Sequence, residues 1–272
     1  MIRLIATDLD GTLLRSDRTV SERTRRALDT ARAAGILVVP VTARQPRGLK
    51  IVAEAAGFAD YAICGNGAHA VHLGSGQTLF EEHLPVPAQS TLAHQLLAVR
   101  PEVRFASVRD GGNLFVAQEG YAELATFEDH KRHPHEMKGH PLEGVLAAPS
   151  LKLIVRSPLL SPRALLAEVQ RLKLDGFAIT HSGAPFLEAL APQVNKAWGV
   201  EQLCRRLDIL TSEVLAFGDA PNDTELLSWA GRGVAMANAE PEALNAADEV
   251  TLSNDQDGVA AYLERYLDGL PS

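Results

Sequence analysis

Two stretches concentrate residues able to do chemistry. Near the start, Asp8-Leu9-Asp10-Gly11-Thr12 carries two carboxylates two positions apart into a Gly-Thr turn; near the end, Gly218-Asp219-Ala220-Pro221-Asn222-Asp223 carries two more. Thr42-Ala43-Arg44 and Lys196 lie between them. Carboxylates gathered in one crevice repel each other and resist desolvation, so such a set needs a cation. Oxygen ligands with neither His nor Cys among them select a hard ion. Mg²⁺ fits, because it takes few carboxylates together with water and a substrate phosphate. Gly11 and Thr12 permit a sharp turn whose backbone N–H groups point inward, a geometry that holds phosphate oxygens. The specific rival for D-x-D is a calcium-binding EF-hand loop. It requires Glu at the twelfth loop position, which is Thr19, and a helix before it, where this chain has Ile2–Thr7.

These groups must be delivered to one place, and the elements around them can do so. Residues 2–7 form a short apolar run rich in β-branched side chains, which predicts a buried parallel strand. Ser21 as N-cap and Gly35 just past the end bracket a helix; residues 36–42 read as a second buried strand, 47–57 as a helix stopped by Gly57, and 61–64 as a third strand running into Gly65-Asn66-Gly67. Strand alternating with helix through short loops predicts a parallel sheet covered on both faces. The same rhythm returns late: a helix over about 196–207, a buried strand at 214–218, a helix opened by Pro221, two short strands and an amphipathic closing helix. Ligands of open parallel α/β sheets bind beyond the carboxyl ends of the strands. Asp8, Thr42 and Asp219 all stand at such ends.

Between these halves the pattern changes. Strands at about 103–108, 113–118 and 151–156 look half-exposed, Asp110-Gly111-Gly112-Asn113 predicts a hairpin turn, and Ser161 with Pro162 opens a helix. The expected architecture is therefore α/β: a Rossmann-like parallel-sheet core with helices on both faces from 1–84 and 186–272, plus an inserted α+β cap domain over 85–185.

In order along the chain, D-x-D-G-T, a Thr at a strand end, a late Lys and G-D-x-x-N-D resemble the motifs of the haloacid dehalogenase-like (HAD) hydrolases. The large insertion between the second and third motifs is similar to the Cof-type branch. The likeness extends to Glu188–Lys196, Val234–Ala239 and Ser253–Ala260. It implies a phosphatase acting on a small phosphorylated metabolite such as a sugar phosphate, through an aspartyl phosphate. Asp8 would be the nucleophile, a carboxylate that needs no helper base. Asp10 would protonate the leaving alcohol and then activate water. Thr42 would bind a phosphate oxygen, and Lys196 would offset charge on Asp8 and the phosphoryl group. Leu9, Gly11, Thr42, Ala43, Arg44, Asn66, Lys196 and Asn222 would line the phosphate and substrate. Mg²⁺ would be held by Asp8, the carbonyl of Asp10, and Asp219, with Asp223 directly or through water. Two positions depart from the branch pattern. Ala43 stands where Gly is usual, so a positive φ there would be strained, and Ala197 follows the lysine in place of Gly.

The segment 128–140 carries His130, His133, His135 and His140 with Lys131, Arg132 and Lys138. A solvated polar loop broken by Pro134 and Gly139 is the reading favoured over a basic substrate-facing loop or a soft-metal site.

The net charge of -8 disfavours a general nucleic-acid binder. No run reaches the length of a membrane helix, the N-terminus does not read as a signal peptide, and Cys64 and Cys204 read as buried thiols, so a cytoplasmic location is expected. Monomer and dimer stay open. Two rival functions stay open as well: a phosphomutase of similar architecture, and a catalytically idle phosphometabolite sensor. A dehalogenase has no use for Asp10, and an ion-pump ATPase needs membrane helices.

Overall fold

Strand β1 (Leu4–Thr7) is buried on both faces, as its uninterrupted apolar sequence requires. It sits inside a five-stranded sheet in a computed structural model that describes residues 1–269. Helix α1 (Glu22–Ala33) follows, capped by the Ser21 side chain accepting from the Thr24 amide, and leads to β2 (Leu37–Pro40). Helix α2 (Lys50–Ala56) ends at Gly57 in the left-handed conformation, and β3 (Tyr61–Cys64) comes next. β4 (His69–His72) and β5 (Gln77–Glu81) then complete a small three-stranded sheet with β3.

The insertion follows. It comprises α3 (Val86–Val99), β6 (Arg104–Arg109), β7 (Leu114–Gln118), α4 (Phe127–His130), β8 (Gly139–His140), α5 (Leu142–Val145), β9 (Lys152–Arg156), α6 (Pro162–Arg171), β10 (Ala178–Thr180) and β11 (Leu187–Leu190). The chain returns through α7 (Lys196–Leu207), β12 (Val214–Gly218), α8 (Thr224–Trp229), β13 (Arg232–Ala235), α9 (Pro241–Ala246), β14 (Glu249–Val250) and α10 (Gly258–Asp268).

Two units result. One contains 1–43, 49–79 and 195 onward; the other contains 44–48 and 80–194. In the first, the order is β14-β13-β12-β1-β2 and every pairing is parallel. β3 joins this sheet at one parallel bridge, Val41 to Ile63, and otherwise pairs antiparallel with β4. Ile5, Val38, Leu215 and Phe217 point into a core with Leu28 of α1 and Leu263 of α10. Leu4, Ala6, Val214 and Ala216, which alternate to the opposite face, are equally buried. The register places the carboxyl ends of β1 and β12 side by side, with Thr7 opposite Phe217.

In the second unit the sheet order is β10-β11-β9-β6-β7-β8, antiparallel except for the β7–β8 pair. Its central strands are more buried than the half-exposed pattern expected. Phe105, Leu153 and Val155 pack on one face against Leu92 and Leu165, and Ala106, Val108 and Ile154 pack on the other with Tyr121 and Phe186. The unit also begins and ends elsewhere than at 85 and 185. β11 pairs with β9 and so carries the insertion on to residue 194, while the segment from residue 80 already belongs to it.

Candidate active site

Asp8 is the first residue past β1, and its amide donates to the carbonyl of Phe217 at 3.0 Å, so it is pinned to the adjoining strand. Its side chain is buried. Lys196, the first residue of α7, is fully buried and donates to Asp8 Oδ1 at 2.7 Å and to Asp223 Oδ1 at 2.6 Å. Asp223 Oδ2 accepts from the amides of Asp219 and Ala220, each at 3.1 Å. Among the described residues, Asp8, Asp219 and Asp223 offer carboxylate oxygens within 4.8 Å of one another. Three of the four carboxylates at the ends of β1 and β12 are therefore gathered, and Asp10 is not among them.

Its electrostatics follow from burial without enough positive charge. Burial pushes the Asp8 carboxyl well above its usual range; Lys196 pulls it down, and Asp223, Asp219 and Asp10 push it further up. Asp219 is raised to about 7 by burial and then by the Asp223 charge, against a hydrogen bond from Thr12. Burial alone would lower the Lys196 ammonium, but Asp223 and Asp8 outweigh it and raise it, so it stays charged. One lysine against three close carboxylates leaves room for further positive charge, which is the electrostatic condition for a divalent cation. The donor set fits one: hard oxygens only, and a buried Asn222 Oδ1 with no hydrogen-bond partner, suited to accept from a metal-bound water.

Asp10 is exposed, unlike Asp8. The intervening Leu9 is buried in the core, which anchors the turn and sends the two carboxylates into different surroundings. Gly11 has φ +86°, and a Cβ there would lie 2.3 Å from Asp219 Oδ2, so only glycine allows Asp219 this close. Thr12, expected to serve through its backbone amide, donates through its hydroxyl to Asp219 Oδ1 at 2.6 Å.

Thr42 is buried past the end of β2, and its amide donates to Ile63 while its carbonyl accepts from the Asn66 amide at 3.0 Å. Asn66 stands in the left-handed region at φ 56°, between Gly65 and Gly67, also at positive φ. Its side-chain oxygen accepts from Asn222 Nδ2 at 2.9 Å, so the turns after β3 and β12 are tied together. Ala43 is not among the residues with positive φ, and the methyl group there brings no strain. Arg44 belongs to the second unit, where its guanidinium donates to the carbonyl of Gly48 at 3.2 Å.

The seat of Lys196 depends on glycine at one contact. Asn195 caps α7 by accepting from the Trp198 amide. A Cβ on Gly199 would lie 2.7 Å from the Gly67 Cα. Ala197 is buried at its position.

Much of the His-rich segment is exposed, His133, His135 and Lys138 included, as a solvated loop requires, but His130 departs from that reading. His130 is held between the rings of Phe115 and Phe186, with centroids 4.9 and 4.8 Å away, and its Nε2 meets Tyr121 Oη at 2.8 Å. Burial drives its imidazole down to about 3. Enclosure by aromatic rings favours the neutral ring over the imidazolium ion. His133 and His135 stack on each other, and His133 also lies against Phe127.

Comparison with known proteins agrees with this geometry. The family model of haloacid dehalogenase-like hydrolases matches residues 5–263. The Bacillus subtilis (strain 168) protein YxeH is 31% identical over 265 residues, covering 96% of each chain. An HMP-PP phosphatase from Yersinia enterocolitica is 28% identical, over 98% of this chain and 96% of its own. The solved structure of BT1666 from Bacteroides thetaiotaomicron, described among phosphatases of the HAD superfamily, superimposes with a TM-score of 0.81 at 25% identity, over 98% of this chain and 95% of that one. No helix among the described residues is long and apolar enough to cross a membrane.

Proposed function

The chain belongs to the haloacid dehalogenase-like hydrolases, in its Cof-type branch, and from that premise we propose a Mg²⁺-dependent phosphatase of small phosphomonoesters that works through an aspartyl phosphate on Asp8. The observation that carries the reading is the buried Lys196 ammonium joining Asp8 to Asp223 beside Asp219, at the strand ends where the family places its chemistry.

In this mechanism an Asp8 oxygen attacks phosphorus and the bond from phosphorus to the leaving oxygen breaks. Asp10 gives that oxygen its proton. Asp10 then takes a proton from water as the water oxygen attacks phosphorus, the Asp8–phosphate bond breaks and inorganic phosphate leaves. Lys196 orients Asp8 and offsets charge on the phosphoryl group. Thr42 and Asn222 hold phosphate oxygens, with backbone from the Leu9–Gly11 turn and Ala43, and Asn66 holds Asn222. Asp8, Asp219 and the Asp10 carbonyl would hold Mg²⁺, which when bound offsets the negative charge of carboxylates and phosphate. Asp223 already accepts from Lys196 and from two amides, so its part is to fix those groups, and it would reach the ion directly or through water.

The buried free thiols suit a reducing cytoplasm. The Yersinia relative's name puts HMP-PP in the substrate panel beside sugar phosphates. The test is phosphate release from that panel with Mg²⁺ or with EDTA. Release that needs Mg²⁺ and disappears in Asp8→Asn is expected. Release that persists in EDTA or in the variant would overturn the reading. Binding without release would favour a sensor, and isomerised phosphate ester without free phosphate a mutase.

A further inference from the structure

The turn that carries Asp10 is held from a distant part of the chain by two asparagines. Asn238, in the loop after β13, donates from Nδ2 to the carbonyl of Gly11 at 2.8 Å. Its Oδ1 accepts from the backbone amide of Asn254 at 2.9 Å. Asn254 in turn donates from its own Nδ2 to the carbonyl of Leu14 at 2.9 Å. Both ends of the Asn238 amide are thus used, and the direction is fixed, because the Asn254 amide can only donate. Together with Thr12 on Asp219, these bonds clamp the backbone at residues 11, 12 and 14, immediately beyond Asp10.

Asp8 has other supports: the Phe217 carbonyl on its amide and Lys196 on its carboxylate. The rest of the loop has its own as well. Arg15 makes a two-pronged ion pair with Asp257 at 2.9 and 2.7 Å, and Ser16 bonds Asp255 through both its amide and its hydroxyl. Removing the Asn238 side chain, which is exposed, therefore loosens the Asp10 turn without releasing Asp8 or unfolding the loop.

We infer that Asn238 and Asn254 are positioning residues for Asp10: they set the acid/base carboxylate at its working distance while leaving the nucleophile untouched. The inference rests on the proposed phosphatase mechanism and divides its two halves. An aryl phosphate with a good leaving group needs no proton to form the aspartyl phosphate. An alkyl phosphate does, and hydrolysis of the aspartyl phosphate needs the base in either case.

The experiment follows nitrophenol release from p-nitrophenyl phosphate at millisecond resolution, with steady-state turnover of glycerol phosphate beside it, for wild type, Asn238→Ala, Asn238→Asp and Asp8→Asn. In Asn238→Ala the glycerol phosphate kcat should fall about ten- to hundredfold with little change in KM, the scale expected for a misplaced catalytic group. The aryl substrate should give a burst of nearly one nitrophenol per enzyme followed by slow turnover. Asn238→Asp, which keeps the shape but turns an acceptor toward the Gly11 carbonyl, should behave at least as severely. Asn254→Ala should repeat the pattern, and it serves if Asn238→Ala fails to fold by circular dichroism. Equal loss on both substrates with no burst, or no loss at all, would overturn the inference while the phosphatase reading stands. Wild type that turns over neither substrate, or Asp8→Asn that keeps full activity, would instead remove the mechanism beneath it.

Discussion

Asp219 is poised to exchange a proton for a cation. Burial and Asp223 raise its carboxyl to about 7, far above the ordinary 3.8. A folded value above the unfolded one means the group stabilises the fold at low pH, and that this contribution is lost as pH rises through about 7. Metal-free protein should therefore lose part of its thermal stability between about pH 4 and about pH 7, and Mg²⁺ should restore it. Asp219→Asn should flatten that decline in the metal-free protein. Mg²⁺ affinity measured by calorimetry should weaken by at least about tenfold per pH unit below about 7, with at least one proton leaving for each ion bound. A metal-free melting curve unchanged by Asp219→Asn at every pH would contradict this assignment. At this scale the site was legible in sequence wherever neighbours along the chain share a job, as Asp8 and Asp10 do. Thr12 on Asp219 and Asn238 on Gly11 were not legible, being 207 and 227 residues apart. Only the pairing of β1 with β12, and of β12 with β13, brings those partners together, and no local pattern encodes which strands become neighbours.

At the scale of elements, the placement of Lys196 is decided by how closely α7 approaches the turn after β3. Gly199 and Gly67 meet with no side chain between them. In Gly199→Ala the added methyl would lie 2.7 Å from the Gly67 Cα and from Ile63 Cγ2. Overpacking against backbone costs about 1–3 kcal/mol. The variant should lose that much in urea denaturation, and should lose activity more than a surface substitution of the same helix such as Arg205→Ala, because Lys196 and Asn66 move with the contact. Unchanged stability would show that α7 has slack the structure does not suggest. Most elements were readable because their ends carry chemical signals: Ser21 and Ser161 cap the helices predicted for them, and Gly57 stops α2. β11 lies past residue 186, where the core is expected to resume, yet it belongs to the sheet of the second unit. Its pairing with β9 is a long-range fact that hydrophobic pattern alone does not carry.

At the scale of the whole molecule, the chain builds two units, each with its own hydrophobic core. The second holds a buried neutral imidazole at His130, lowered from 6.5 to about 3 mainly by burial. A folded value below the unfolded one means stability present above about 6.5 and lost as pH falls toward about 3. His130→Phe keeps an aromatic ring between Phe115 and Phe186 and removes the titration. It should cost about 1 kcal/mol near neutral pH, from the lost hydrogen bond between the Tyr121 hydroxyl and the imidazole, and flatten the acid-side loss of stability. Far-UV circular dichroism is the suitable probe, because Trp198 and Trp229, the two tryptophans, both lie in the first unit. His130 departs from the solvated loop expected of its segment for a physical reason: polarity predicts solvent, but a neutral imidazole packs as an aromatic ring when a hydroxyl satisfies its nitrogen.

The central claim is that Asp8 becomes covalently phosphorylated. Acid-quenching wild-type enzyme during turnover with Mg²⁺, then locating the phosphoryl group by peptide mass spectrometry, tests it most directly. One phosphoryl group is expected on the peptide that contains Asp8, absent in EDTA and in Asp8→Asn, and forming and decaying at least as fast as turnover. Rapid Mg²⁺-dependent phosphate release by an Asp8→Asn enzyme, with no phosphopeptide in the wild type, would contradict it.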